Sequence, residues 1–412
     1  MKIFIIAYAC DPNRQSEPGL GWNISQEIAR RHEVTLVTRE KNRAIIENYL
    51  SEHPECSHAG TNFLYHDTNG FLRKFKAWIP FGTQLYFSHW LKTATNRYYG
   101  EIKNSDIVHQ LTFCPFFIKP WGAAYTDRYV WGPIGGGGGI DARFPRGFPI
   151  KGIGFKAIEW MYKFLSWIVY SPFSWRFARL RSRVAAVTFK ASAFAKGFPV
   201  AERQFMAVTK ETGYDGEIKP RQYTNGRHPL NVVAVGRMIP HKGFEYSIRG
   251  FAKFISAGGD GRFDIFGDGP LRKELERLTA TLKMNEKIVF HGNVPNTKIH
   301  KTLDEADVFL HASFIEAAAW SILEAMIHGV PVICQNRSGM VDMVADGCGI
   351  KVSANSPKEL VSSIASALSQ YYENPSLVET HGKKCQVCIR EDFSWRSVVD
   401  KIDEVYRQVA GV

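Results

Sequence analysis

Apolar and polar positions alternate along this chain in blocks, and the blocks predict strands followed by helices. The first block, Ile3–Ala7, is a run of five apolar residues that predicts a buried strand. A polar loop, a helical pattern through Ile24 and Ile28, and a second strand pattern, Val34–Thr38, follow it. This order of strand, loop, helix and strand is typical of a doubly wound α/β sheet with parallel strands.

The second half of the chain repeats the alternation. Its predicted strands are Asn231–Gly236, Arg262–Phe266, Lys287–His291 and Asp307–His311, and its predicted helices include Leu271–Leu282, Lys298–Glu305, Pro357–Tyr371 and Trp395–Val409. A chain of 412 residues is long enough for two domains, each with its own core. The polar stretch Lys219–Pro229 predicts the link between them. We therefore expect domains at 1–220 and 221–390, followed by a C-terminal helix within 391–412.

Two glutamates stand in the stretch Leu310–Val332, at the point where a predicted strand gives way to a helix. Glu316 and Glu324 are separated by seven residues. On one continuous helix they would lie roughly 80° apart, so both face one ligand only if the first few residues are not helical. A strand end beside a helix N-terminus also suits a phosphate. The pattern thus favours a ligand with hydroxyl and phosphate groups, and an ordinary surface helix is the alternative.

Four motifs in this half occur in the order found in a known enzyme family. They are Val235-Gly236-Arg237 with Lys242-Gly243; Phe266-Gly267-Asp268-Gly269-Pro270; His291-Gly292-Asn293-Val294; and Glu316 followed by Glu324-Ala325-Met326 through Val332. Together they cover roughly residues 230 to 355. This region resembles the retaining glycosyltransferases of the GT-B fold, family 4, which carry an E-x7-E signature.

The resemblance implies an α/β protein of the GT-B class, with two Rossmann-like doubly wound domains that face a cleft. The first domain would bind the acceptor, the second would bind a nucleotide-sugar donor, and the C-terminal helix would cross back to the first. The residues that the resemblance assigns to the donor are Arg237 and Lys242 on the diphosphate, Glu324 on the ribose, Glu316 beside the reacting sugar, Val294 at the base, and Ser321. Glu316 is expected to be catalytic through positioning.

Three features of the first half bear on the same site. Gly19 and Gly21 match the family's loop after the first strand, where glycine backbone approaches the donor phosphate, and a simple turn is the alternative. His109 ends a predicted strand and matches the first histidine of the family's D-x-x-H-x-H motif. The second histidine of that motif is replaced here by Leu111. We expect His109 to be either catalytic or a structural residue at a strand end. The glycine run 135–139 predicts a loop of the acceptor cleft or a plain linker.

Positive charge is concentrated in the first half. Residues 1–220 hold 29 Lys and Arg against 18 Asp and Glu, whereas residues 221–412 hold 23 against 22. Two segments, 71–99 and 151–183, combine many aromatic side chains with many basic ones. Such segments lie in a membrane interface or pack as core, and the charge asymmetry favours an anionic membrane surface. No motif for DNA or RNA accompanies them, so nucleic acid is not an expected partner.

The chain shows no sign of a cofactor or a resident metal. It contains no D-x-D, so we expect fixed cations to stabilise the diphosphate without a metal ion. Seven scattered cysteines, with a lone CxxC at Cys385 and Cys388, fit a reducing compartment. The apolar start is too short for a secretory signal or a membrane span. We therefore expect a cytoplasmic protein, peripheral on the inner face of the cell membrane.

Together with the absence of a D-x-D, the resemblance thus implies a metal-independent, retaining glycosyltransferase with a front-face mechanism. Its donor would be a nucleotide sugar, UDP- or GDP-linked, and its acceptor a lipid-linked or cell-surface glycan, as in polysaccharide or lipopolysaccharide biosynthesis. Two alternatives stay open: a GT-B epimerase acting on a nucleotide sugar, and a non-catalytic relative that binds a glycan or a lipid.

Overall fold

The computed structural model describes residues 1–14, 16–54, 61–68, 82–115, 118–135, 175–190, 204–208, 213–214, 216–223, 229–316 and 318–412. Of these, the residues up to Gly213 together with Ser394–Val412 form one compact unit, and Tyr214–Phe393 form a second. The glycine run beyond Gly135, and most of the basic aromatic segments (71–81 and 151–174), lie outside the described residues.

The first unit contains a seven-stranded parallel sheet. Its strands are β1 Lys2–Ile6, β2 Glu33–Arg39, β3 Thr61–His66, β4 Ile107–Gln110, β5 Tyr129–Ile134, β6 Val184–Phe189 and β7 Phe205–Val208. Their order is 3-2-1-4-5-6-7, and every pair is parallel. All residues of β4 and β5 are buried, as expected for a sheet covered on both faces.

Helices connect these strands. Those described in the first part of the chain are α1 Ser16–Ala29, α2 Arg43–Glu52, α3 Gly82–Arg97, α4 Tyr99–Lys103 and α5 Trp175–Ser182. The described part of the first basic aromatic segment is α3 with its flank, where Tyr86, Phe87 and Trp90 are at most 4% exposed. Because these rings pack in the core, they are not available to a membrane surface. Tyr99, at 54% exposure, is the described aromatic of the segment that does face solvent.

The second unit contains a six-stranded parallel sheet. Its strands are β8 Leu230–Val235, β9 Gly261–Phe266, β10 Ile288–Gly292, β11 Val308–His311, β12 Val332–Gln335 and β13 Gly349–Val352. The spatial order is β10-β9-β8-β11-β12-β13, which is the 3-2-1-4-5-6 order of a Rossmann sheet. The order reverses between β8 and β11, and ligands of such sheets bind beyond the carboxyl ends of the strands at that point.

The helices of the second unit follow the predicted alternation. They are α6 Phe244–Ser256, α7 Arg272–Thr281, α8 Asn296–Glu305, α9 Trp320–Ile327, α10 Met340–Met343, α11 Pro357–Glu373 and α12 Pro375–Asp392. Aromatic and aliphatic side chains from both faces of the sheet are buried against them. Among the described residues, no helix is long and apolar enough to cross a membrane.

The last helix, α13 Trp395–Ala410, packs on the first unit. Its buried positions, including Val398, Ile402 and Tyr406, recur every three to four residues and form one apolar face. Arg31, just after α1, fixes the helix through two carboxylates, with Nη1 lying 2.7 Å from Asp400 Oδ1 and 2.8 Å from Asp403 Oδ2. The first unit is thus built from both ends of the chain.

Candidate functional site

The residues assigned to the diphosphate and the sugar lie beyond the carboxyl ends of two neighbouring strands. Arg237 and Lys242 follow β8, the latter at the end of a short 3-10 helix, Pro240–Lys242. Glu316 follows β11, whose last residue is His311. Because β8 and β11 are parallel neighbours, both loops emerge at the same edge of the sheet, at the reversal of strand order.

Lys242 and Glu316 form a close ion pair. Lys242 Nζ lies 2.5 Å from Glu316 Oε2, with side-chain exposures of 19% and 14%. His311, which is 5% exposed, places its Nε2 3.4 Å from the same oxygen. At this spacing the histidine makes an electrostatic contact and not a full hydrogen bond. The structure therefore brings one carboxylate, one ammonium and one imidazole together.

The environment keeps Glu316 ionised. Burial raises the pKa of its carboxyl, but the close contacts with His311 and Lys242 outweigh burial and lower the pKa to about 2. Burial is also the main reason why the pKa of His311 lies below its usual value. At neutral pH the cluster is therefore a charged pair beside a neutral imidazole.

The loop that carries Glu316 is held by its backbone. Ser338 Oγ donates to the carbonyl of Glu316 and accepts from its N–H, at 2.5 and 3.1 Å, and Gly339 N–H donates to the same carbonyl at 2.7 Å. On the other side, a Cβ on Gly243, where φ is +70°, would lie 2.2 Å from the carbonyl oxygen of Ala312. The lysine loop and the glutamate loop are thus packed in backbone contact.

Glu324 lies on a different local structure from Glu316. The helix α9 begins at Trp320, so Glu316 precedes it and Glu324 belongs to it. Burial raises the pKa of Glu324, and the charge of His300 opposes this shift. Within the described part of the chain, no side chain or N–H donates a hydrogen bond to its carboxylate. Its acceptor oxygens are accordingly available to hydroxyl groups.

The remaining donor candidates lie in the same unit without joining the ion pair. Arg237 is exposed, Ser321 is half-buried in the first turn of α9, and Val294 is half-buried after Gly292. No hydrogen bond or ion pair among the described residues links these three to Lys242 or Glu316. Their assignment to the donor stays a prediction.

The two glycines of the first half lie in a helix, whereas the sequence indicated a loop. The helix α1 begins at Ser16, so Gly19 and Gly21 occupy its first turns. Added Cβ atoms would lie 2.1 Å from Arg14 O at Gly19 and 2.0 Å from Ala9 O at Gly21. Glycine at these positions lets the helix approach the chain after β1 closely, and Pro18 is tolerated because it stands in the first turn.

A substitution tests this packing. Gly21→Ala is expected to lower the free energy of unfolding of the first unit by about 2 kcal/mol, since the methyl group meets a backbone oxygen. Gly100→Ala is the matched control, because an added Cβ there meets no atom within 4 Å and helix propensity favours alanine. Urea denaturation measures both, and equal effects would contradict the packing argument.

His109 is fully buried in the core of the first unit. Its Nδ1 lies 2.6 Å from the Tyr406 hydroxyl and its Nε2 lies 2.8 Å from the carbonyl oxygen of Gly132. Since a carbonyl only accepts, Nε2 carries the proton and Nδ1 accepts from the tyrosine. Burial lowers the pKa of His109 to about 4, against a smaller opposing effect of the Gly132 carbonyl. These contacts favour the structural alternative over the catalytic one.

Sequence reasoning did not assign a role to His311 or Ser338. The role of His311 could have been predicted, because it is a polar residue at the end of a strand that is otherwise apolar, immediately before the glutamate motif. The role of Ser338 could not, since its contact with Glu316 spans 22 residues and depends on a left-handed φ of +55°.

The described residues offer no group of three or more His, Cys, Asp or Glu side chains arranged to hold a metal ion. The CxxC cysteines, Cys385 and Cys388, are buried thiols on α12, and Cys388 Sγ lies 3.2 Å from Cys348 Sγ. They lie in the core of the second unit.

Comparison with known proteins adds to this geometry. Residues 217–406 match the family model described as glycosyl transferases group 1. The matched region includes the second unit's whole sheet and the Lys242–Glu316 pair. Assignment to family 4 within this group stays a prediction.

Curated relatives match over part of their length. The chain is similar to the phosphatidylinositol N-acetylglucosaminyltransferase GPI3 subunit of Saccharomyces cerevisiae, with 23% identity over 47% of this chain and 43% of the relative. It is also similar to the putative colanic acid biosynthesis glycosyltransferase WcaL of Escherichia coli, with 29% identity over 41% of this chain and 43% of the relative. The chain thus spans less than half the length of these relatives.

Solved structures match over the full length. Sucrose-phosphate synthase from Thermosynechococcus elongatus aligns with a TM-score of 0.60 and 16% identity, covering 100% of this chain and 99% of its own. Anabaena HepE, in complex with UDP and glucose, aligns with a TM-score of 0.56 and 16% identity, covering 98% of each chain. At such identities the likeness concerns the fold, and it confirms the predicted α/β class of the GT-B type.

Proposed function

We propose that the protein is a retaining glycosyltransferase that moves a sugar from a nucleotide-sugar donor to a glycan acceptor. The observation that carries the proposal is the Lys242–Glu316 pair, placed beyond the carboxyl ends of β8 and β11 in the region that matches glycosyl transferases group 1. Supporting it, a relative of the same fold is known in complex with UDP and glucose.

The leaving group of such a reaction is a nucleoside diphosphate, whose negative charge grows as the glycosidic bond breaks. Fixed cations stabilise this charge without reorganisation. Arg237 and Lys242, on one loop beyond β8, are the cations that would do so, and we propose that transfer needs no metal ion. The base would rest near Val294, with Ser321 and the α9 N-terminus close to the donor.

The two glutamates would hold the sugar and the ribose. Charged carboxylates accept short, strong hydrogen bonds from hydroxyl groups. The low pKa of Glu316 keeps it an acceptor, so its role is to position the sugar and not to donate a proton. Attack from the face of the leaving phosphate, with the donor held in this way, would retain the configuration at the sugar carbon.

For the acceptor we propose a lipid-linked or cell-surface glycan, reached at the inner face of the cell membrane. The colanic acid and phosphatidylinositol names of the relatives support this class. The excess of positive charge in residues 1–220 supports an anionic membrane surface, although the buried rings of α3 reduce the aromatic surface available to it.

A thermal-shift screen tests the donor site. UDP- and GDP-sugars would be added with EDTA present, and a ligand at about a hundred times its Kd stabilises the protein by roughly 2.7 kcal/mol. A shift with one nucleotide, unchanged by EDTA, is the expected result. Binding with turnover but no acceptor would instead favour the epimerase, and binding without hydrolysis or transfer would favour a non-catalytic relative.

Glu324→Ala is expected to weaken binding of that nucleotide sugar about tenfold, because the ribose hydroxyls lose a charged acceptor. Isothermal titration calorimetry measures the change. Glu373→Ala is the control, since Glu373 is an exposed glutamate at the end of α11. Unchanged affinity in the Glu324 variant would remove this residue from the donor site.

A further inference from the structure

His311 is buried beside the ion pair with an unsatisfied polar atom. The residue is 5% exposed, and its Nε2 makes no hydrogen bond to any residue that the structure describes. A buried imidazole nitrogen without a partner costs free energy, so the site holds a group that gains by acquiring one. Glu316 Oε2 lies 3.4 Å from this nitrogen and is the acceptor beside it.

Lys242 is the closer partner of that oxygen. Its Nζ lies 2.5 Å from Glu316 Oε2, so the lysine and the histidine approach the same atom, and the lysine is the closer by almost 1 Å. A movement of about 0.6 Å would bring His311 Nε2 to an ordinary hydrogen-bond distance. Lys242 and His311 also line one small cavity together with Ser247.

Donor binding changes this competition, and here the inference rests on the proposed function. A diphosphate at the loop after β8 attracts Lys242 away from Glu316. The carboxylate, with a side chain 14% exposed, would then be buried without a compensating cation, which is strongly unfavourable. A second cation must then compensate the negative charge of Glu316, and His311 already lies beside that carboxylate.

We propose that His311 is a positioning residue that replaces Lys242 on Glu316 Oε2 when the donor binds, taking up one proton from solvent as it does so. The neutral imidazole becomes an imidazolium, the charge of Glu316 stays balanced, and no bond of the donor breaks. Glu316 thus keeps its orientation toward the sugar while Lys242 serves the diphosphate.

The charges around His311 give the direction of this proton transfer. Burial lowers its pKa, the Glu316 carboxylate beside it raises the pKa, and the Lys242 ammonium lowers it. From the neighbouring strand β12, Cys334 faces it in register, and burial raises the pKa of that thiol to about 12, so the thiol stays neutral. Once the diphosphate draws Lys242 away, its lowering effect on the pKa of His311 is lost, and a hydrogen bond to the Glu316 carboxylate favours the protonated imidazole.

Isothermal titration calorimetry on the full chain tests the proposal. UDP-glucose and GDP-glucose are the probes, because the phosphates of a nucleotide sugar are fully ionised near neutral pH and exchange no protons themselves. Titrations in buffers of low and high ionisation enthalpy, at one pH, give the number of protons bound. We expect uptake of up to about one proton by the wild-type protein, and tighter binding as the pH falls toward 6.

Three variants isolate the histidine. His311→Gln retains an N–H for Glu316 and cannot titrate, so it is expected to bind the probe with no proton uptake. His311→Ala removes the donor and is expected to bind about tenfold more weakly. His381→Gln is the control, since His381 is a half-buried histidine of the same unit that contacts Tyr371 and not the site, and its proton uptake should equal that of the wild type.

The outcomes separate the two proposals. Binding by the wild type without proton uptake, or uptake that persists in His311→Gln, overturns the role of His311 and leaves the donor site intact. The wild-type measurement alone decides this if a variant fails to fold. No binding of either nucleotide sugar contradicts the proposed function, and the inference falls with it.

Discussion

Replacing Lys242 by methionine is expected to lower kcat/KM for sugar transfer by about a hundred-fold to a thousand-fold. Removal of one preorganised charge from a group that gains charge in the transition state has effects of this size. The methionine keeps the length and packing of the side chain while its charge is lost. Transfer from a radiolabelled nucleotide sugar, measured below saturation, gives the ratio directly.

Two controls accompany this variant. Lys273→Met removes an exposed lysine of α7 and should leave transfer unchanged. Lys242→Arg keeps the charge in a different shape and should retain part of the activity. A Lys242→Met protein that folds normally and transfers sugar at the wild-type rate would exclude the lysine from the reaction.

Asp403→Asn is expected to destabilise the first unit by about 3 kcal/mol. The Asp403 side chain is 4% exposed and accepts from both Arg31 and His32, so its replacement removes a buried carboxylate that both of these side chains contact. Urea denaturation followed by tryptophan fluorescence measures the free energy of unfolding, and the large effect should appear in the transition of the first unit.

Asp400→Asn is a matched control on the same helix. Asp400 contacts the same Nη1 of Arg31 at 2.7 Å, but its side chain is 55% exposed, and exposed ion pairs contribute little. Its replacement should cost less than about 1 kcal/mol. Similar losses in both variants would mean that burial does not decide the contribution of these carboxylates.

The apolar runs predicted the second unit closely, because strands buried on both faces leave an unmistakable pattern. The strand expected at Asp307–His311 spans Val308–His311, and the helix expected at Leu271–Leu282 spans Arg272–Thr281. The condition under which both glutamates face one ligand, that the residues around Glu316 are not helical, is met, because α9 begins at Trp320. These three features depend on local sequence alone, which is why the sequence indicates them.

The misplaced features depend on contacts between distant parts of the chain. Gly19 and Gly21 indicated a loop, yet they lie in α1, where the close approach of Arg14 and Ala9 leaves no room for a side chain. His109 is buried in contact with Tyr406, which is 297 residues away, so no local sequence pattern could predict this contact. The spatial pairing of Lys242 with Glu316, 74 residues apart, followed only from the parallel order of β8 and β11.

The first unit combines residues from before and after the second unit, and this order affects folding during synthesis. All residues of the second unit have been synthesised once the chain reaches Phe393. The first unit, in contrast, is not complete until α13 has also been synthesised. Until Tyr406 emerges, His109 lacks the hydroxyl that its Nδ1 accepts from, and Arg31 lacks both carboxylates. The first unit therefore starts to emerge before the second unit and is completed after it, so its apolar face stays uncovered for longer during synthesis.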